Sequence, residues 1–191
     1  MSLTSRLLLC CVLVWTAVVG ASEAEPRIRN ILVQVDAGRL LIDADVDLSL
    51  SREVRQAAER GLPIYLTADL VITHSRWWWF DRTDIETSRT WRIGYNALTR
   101  QWRIGTGALN FSVASLDEAL KVVSSIRRWD IGAIDEVAEG TALEGQIRMR
   151  LDNSLLPRPM QVNALNSSAW SVATPWTDFD FEIAEGGSLH R

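Results

Sequence analysis

The chain has 191 residues, with 24 acidic side chains against 20 basic ones and a net charge of −4 at pH 7. That balance argues against nucleic acid or an anionic membrane surface as the partner. Nearly half the residues are apolar (47%), enough for one domain-sized core, and only two cysteines and two histidines are present.

The N-terminus reads as a secretory signal. Arg6 closes a short basic region, an apolar run follows from Leu7 to Val19, and the small residues Gly20, Ala21 and Ser22 come next. The run is about thirteen residues long, against the ~20 needed to cross the hydrocarbon core. Cleavage after Val19-Gly20-Ala21 is therefore expected. It makes residues 1–21 a signal peptide, 22–184 a single globular domain and 185–191 a flexible tail. Cys10 and Cys11 leave with the signal, so the mature chain has no thiol, disulfide or cysteine-ligated metal. Bulky Leu9 before Cys10 speaks against a lipid anchor. The expected location is the periplasm, as a soluble protein that is not integral to the membrane once cleaved.

Period-two alternation dominates the rest. Ile31, Val33 and Val35 lead through Asp36-Ala37-Gly38 into Leu40, Ile42, Ala44, Val46 and Leu48, a hairpin pattern. Asp43, Asp45 and Asp47 share the opposite face. Residues two apart on a strand are ~6.8 Å apart, so these carboxylates do not converge on one ion. A solvated face paired with Arg148, Arg150 or Arg92 is the expectation. Ser51 caps a helix whose apolar face is Leu50, Val54, Ala57 and Ala58, with Gly61 as its stop. The clearest strand has Leu62, Ile64, Leu66, Ala68, Leu70 and Ile72 on one parity and Tyr65, Thr67, Asp69 and Thr73 on the other. His74 ends it, and a hydrogen-bonded, partly buried strand-end role is expected for this residue.

Arg76-Trp77-Trp78-Trp79-Phe80-Asp81-Arg82 is the most unusual stretch. Successive strand side chains point to opposite faces, so three consecutive tryptophans cannot all enter one core. Two readings stand. Arg76, Trp77, Trp78, Trp79 and Arg82 form an exposed platform for a sugar, a lipid chain or a partner protein, or the tryptophans plug a crossover at the sheet edge.

Alternation returns at Ile85, Trp91, Ile93 and Tyr95, and Ala97-Leu98-Thr99-Arg100 turns into a short strand at Trp102 and Ile104. Ser115-Leu116-Asp117-Glu118 is a capping box. It starts a helix with Leu116, Ala119, Leu120, Val123 and Ile126 inward and Arg127 and Arg128 wet. Leu143, Ile147, Met149 and Leu151, opposed by Glu144, Gln146, Arg148 and Arg150, form another strand. Pro157 and Pro159 predict an extended crossover. Ser168 to Ile183 reads as a final strand region, with an edge or bulge near Pro175 and Asp178. The expected fold is mainly β (α+β): an antiparallel β-sheet or sandwich of about seven strands with two amphipathic helices.

Catalytic groups are sparse. One ordered histidine and no cysteine give no convincing nucleophile–base pair, and there is no glycine-rich phosphate loop. No metal or cofactor is expected. A carboxylate pair remains conceivable, and with it a hydrolase acting on envelope glycans.

Leu62-Pro63, Arg76-Trp77-Trp78-Trp79, Tyr95-Asn96-Ala97-Leu98-Thr99-Arg100-Gln101, Leu116-Asp117-Glu118-Ala119-Leu120 and the Arg150–Gln161 segment occur in that order. Together they resemble the exported proteobacterial proteins grouped as domain of unknown function 4390. The resemblance implies a proteobacterial periplasmic protein and brings no catalytic residues. It also implies a regulatory partner, a membrane sensor kinase. The leading expectation is a non-enzymatic binding or interaction domain meeting an unidentified envelope protein or small ligand.

Overall fold

A computed structural model describes residues 25–74, 82–137, 142–183 and 189–190. Ten strands and three α-helices occur among them, and every strand pairing is antiparallel. A three-stranded sheet has the order β1 (Arg27–Asp36), β2 (Arg39–Asp47), β7 (Ser125–Ala133), and a seven-stranded sheet the order β10 (Leu189–His190), β9 (Thr177–Ile183), β8 (Ala142–Leu151), β3 (Ile64–His74), β4 (Arg82–Asn96), β5 (Gln101–Thr106), β6 (Leu109–Val113). The mainly β, antiparallel architecture is as the alternation predicts, with more strands than expected.

The β1 (Arg27–Asp36) and β2 (Arg39–Asp47) strands form the predicted hairpin, with Ala37 and Gly38 in left-handed conformations at φ 49° and 75°. Both central residues need φ > 0 in a turn whose twist matches the strands. Leu40, Ile42, Ala44 and Val46 of β2 are buried. Asp43, Asp45 and Asp47 are paired across strands as expected, with different partners. β2 lies between β1 and β7, so Asp47 meets Arg27 and Arg29, Asp45 meets Asn30 and Arg127, and Asp43 accepts from Gln34 and the Arg128 backbone. Arg148, Arg150 and Arg92 belong to the other sheet.

Helix α1 (Arg52–Glu59) begins as predicted, with Ser51 Oγ accepting from Val54 N–H at 3.2 Å. It ends at Gly61, φ 96°, with Gly61 N–H on Ala58 O and Leu62 N–H on Ala57 O. These are the paired bonds that close a helix through a left-handed glycine. Strand β3 (Ile64–His74) follows. Its even side chains from Ile64 to Ile72 are buried, and it pairs with β4 (Arg82–Asn96) on one side and β8 (Ala142–Leu151) on the other. The centre of the large sheet is thus the strand with the strongest alternation.

Strands β5 (Gln101–Thr106) and β6 (Leu109–Val113) complete that side of the sheet. Helix α2 (Leu116–Val123) has Ser115 Oγ accepting from Glu118 N–H, while the Glu118 carboxylate accepts from Ala114 N–H. Leu116, Ala119, Leu120 and Val123 are buried in the core shared by both sheets. The expected last turn of this helix is not helical. Ser124 caps it, and the chain continues as β7 (Ser125–Ala133) along β2, with Ile126 buried and Arg127 and Arg128 outside.

A second correction concerns Pro157 and Pro159, which do not hold an extended crossover. Pro157 is the N-cap of helix α3 (Arg158–Leu165), and Pro159 sits in its first turn, where a missing N–H breaks no helical bond. A third concerns the end of the chain: Ser168–Trp170 is a 3-10 turn, and β9 (Thr177–Ile183) begins only after Pro175. Before that, Thr174 N–H bonds Met149 O and Val172 O accepts from Leu151 N–H, lining the β8 edge without a full strand. β10 (Leu189–His190) pairs with β9 inside the segment expected to be a flexible tail. No helix among the described residues is long and apolar enough to cross a membrane.

Candidate functional site

With the even side chains of β3 in the core, its odd ones face outward, and register decides their neighbours. Asp69 lies opposite Arg148 of β8 and Ser88 of β4, Thr67 opposite Arg150 and Thr90, and Val71 opposite Gln146 and Glu86. The outer face carries a groove of about 430 Å³ lined by Asp69, Val71, Glu86, Ser88, Arg148 and Arg150 and bounded by Trp176.

Asp69 organises it. Its Oδ2 accepts from Arg148 Nε at 3.0 Å and from Arg150 Nε at 2.9 Å. Arg150 Nη1 also reaches Asp152 Oδ2 at 3.0 Å. Asp152 is buried, and its Oδ1 accepts from Ser154 Oγ at 2.6 Å and Ser154 N–H at 3.1 Å. The Thr67 and Thr90 hydroxyls share a 2.9 Å hydrogen bond beside it. Arg148 lies under the Trp176 ring, its Cζ 4.5 Å from the centroid, and Trp176 remains 39% exposed. A guanidinium so held is a planar donor fork with N–H groups to spare, and an indole above it adds a stacking surface.

The hydrogen bond to Asp69 raises the pKa of Arg150. Burial pushes the Asp152 carboxyl up, but the Ser154 hydrogen bonds and the Arg150 charge outweigh this and hold it below the usual carboxylate range. A depressed folded-state pKa stabilises the fold above the unfolded value, and that contribution is lost as pH falls through the folded one. Asp152→Asn should therefore flatten the fall in stability on the acid side. Urea midpoints measured from neutral pH down through the carboxylate range check this; an unchanged acid slope contradicts it.

His74 and Asp84 form the other buried polar pair. Nδ1 and Oδ2 are 2.6 Å apart, with side chains only 8% and 4% exposed. This is the strand-end, hydrogen-bonded role expected for His74. It joins the end of β3 to the start of β4, where the chain leaves for the connection between them. Among the described residues no group of three or more His, Cys, Asp or Glu side chains could hold a metal ion.

Arg76, Trp77, Trp78 and Trp79 lie outside the described residues, as does the side chain of Arg82, whose backbone pairs with His74. Sequence reasoning missed the groove. Arg148, Arg150 and Asp69 were each on the expected strand parity, but their meeting depends on β3 pairing with β8 across some eighty residues, and Trp176 lies just before β9 rather than within a strand.

The class these features define is a two-sheet, mainly β domain with an aromatic and arginine-lined groove on one open sheet face. A family model described as Domain of unknown function (DUF4390) matches residues 23–180. The chain belongs to that family. No curated protein and no solved structure matches it.

Proposed function

We propose that this chain is an exported, non-enzymatic binding domain of the cell envelope. It holds an envelope protein or a small ligand on the outer face of its large sheet, in the groove of Arg148, Arg150, Asp69 and Trp176. Arg76, Trp77, Trp78, Trp79 and Arg82 are a second candidate contact group, on the aromatic and arginine chemistry of their sequence. A membrane sensor kinase is one partner in keeping with the resemblance.

The observation that carries the reading is one carboxylate fixing two guanidinium groups beneath an exposed tryptophan. Fixing them in advance lowers the ordering cost of whatever they bind. The glycan hydrolase reading has Asp69 and Glu86 in the same groove. Against it, Asp69 Oδ2 is held by both arginines, the arrangement of an anchor that fixes two guanidinium groups.

Crosslinking in the envelope tests the proposal. Arg148→Ala and Trp176→Ala should each cut recovery of the partner by about tenfold or more, as removal of a central anchor does. Both side chains are partly exposed, so the fold should persist. Undiminished recovery with both variants moves the contact elsewhere, and loss of a glycan-cleaving activity in Glu86→Gln would favour the hydrolase. Export is tested on the same material by intact mass: residues 1–21 should be missing, and their retention would overturn the exported reading.

A further inference from the structure

Among the described residues the two sheets end in four edge strands, and three of them carry features that discourage another strand from pairing. β1 has Arg27, Arg29 and Asp36 and a bulge at Asn30, φ 54°. β7 has Arg127, Arg128 and Asp130, shifts in register against β2, and Arg128 at φ 44°. β10 is two residues long. The fourth edge, β6, is different. Leu109-Asn110-Phe111-Ser112-Val113 has no charge, no proline and no register shift, and Leu109 and Phe111 are 65% and 40% exposed.

The turn before β6 sets which backbone groups are open. Gly107, φ 53°, and Ala108 make a two-residue hairpin loop closed by Thr106 and Leu109. The closing pair of such a hairpin exchanges hydrogen bonds, and bonded and non-bonded pairs then alternate. Leu109, Phe111 and Val113 therefore point their N–H and C=O groups at β5, and Asn110 and Ser112 point theirs at the open edge.

We infer that β6 pairs with β6 of a second copy of this chain, antiparallel about a two-fold axis at Phe111, and joins two large sheets into one. In that register Asn110 of each copy exchanges hydrogen bonds with Ser112 of the other. Leu109 lies opposite Val113, and the two Phe111 rings meet at the axis in the closely spaced, non-hydrogen-bonded position. Every apolar residue faces an apolar one and every polar residue a polar one. The strand's neutrality is what selects a second copy: a two-fold axis sets each residue near its own equivalent, where any charge would repel itself. Among the described residues the other edges, including the stretches of β4 and β9 beyond their short neighbours, carry charges or bulges or are very short, so pairing consumes the neutral edge and closes at two copies.

Sedimentation equilibrium of the purified protein, across micromolar to hundreds-of-micromolar concentrations, tests this. The expected result is a concentration-dependent rise to twice the chain mass. Phe111→Lys, which places two like charges at the axis, should weaken the dimer by about tenfold or more. Ser112→Pro removes an outward N–H and should do the same with an unchanged circular dichroism spectrum. Leu98→Lys, 97% exposed in the β4–β5 turn, should leave the dimer intact. A monomer at every concentration overturns the proposal. So does a dimer indifferent to both β6 variants, or a complex in which β6 takes only another protein's strand.

Discussion

Replacing Asp84 with alanine should lower the stability of the protein by about 1–3 kcal/mol, the cost of removing one hydrogen-bond partner from a buried polar group. His74 and Asp84 are nearly inaccessible and their polar atoms are 2.6 Å apart. The pair sits where β3 stops and β4 starts, so the damage should concentrate on that end of the hairpin. Asp84→Asn keeps an acceptor of similar shape and should cost less. The double variant His74→Ala/Asp84→Ala should cost clearly less than the two single changes combined, because the groups are coupled. Urea unfolding of the four proteins checks this; additive losses would mean that the two side chains act independently.

Leu70→Ala should cost about 2–5 kcal/mol, the range for truncating a fully buried leucine. Leu70 has no exposed surface and stands mid-strand in β3, flanked in register by Ile147 of β8 and Thr87 of β4. The cavity would open in the middle of the shared core, where strands on both sides limit collapse. Val71 is the next residue and faces the groove, half-buried. Val71→Ala should cost under about 1 kcal/mol, since little area leaves the interior. The contrast between adjacent positions tests the register itself. Equal losses at Leu70 and Val71 would mean that the strand's faces are assigned wrongly.

How far the sequence foretold the structure differs by element, for physical reasons. β3 was legible because one face is buried and the other wet, which writes a period of two directly into the residues. The start of α1 was legible from Ser51 and its end from Gly61, since capping is local chemistry. β7 was not. Leu116, Ala119, Leu120, Val123 and Ile126 continue a helical stripe without a break, yet Ser124 O accepts from Val46 N–H and the chain turns into a strand along β2. That contact is between elements distant in sequence, and nothing in the local pattern announces it. The prolines misled in the opposite way. A proline is excluded from a helix interior but accepted in its first turn, and Pro157 and Pro159 fall at the start of α3.

The candidate site shows the same limit more sharply. Asp69, Arg148 and Arg150 were assigned to a strand and a face, but a site also requires knowing which strands are neighbours. Asp69 could have paired with arginines on any adjoining strand. The order β8-β3-β4 delivers Arg148 and Arg150 to it and leaves Arg92 two rows along the sheet. Trp176 fell within the expected strand region Ser168–Ile183, beside the edge or bulge expected near Pro175 and Asp178. It lies instead after Pro175, just before β9, where it packs over Arg148.

The most direct test of the groove as a contact surface is a photo-crosslinking side chain at Ser88, which lines the groove opposite Asp69, in the protein as it sits in the envelope. The same group at Leu98, on a distant turn, serves as the comparison. The account predicts a discrete crosslinked product from position 88, lost when Trp176→Ala or Arg148→Ala is added, and none from position 98. No product from position 88, or one that persists in both variants, would contradict it.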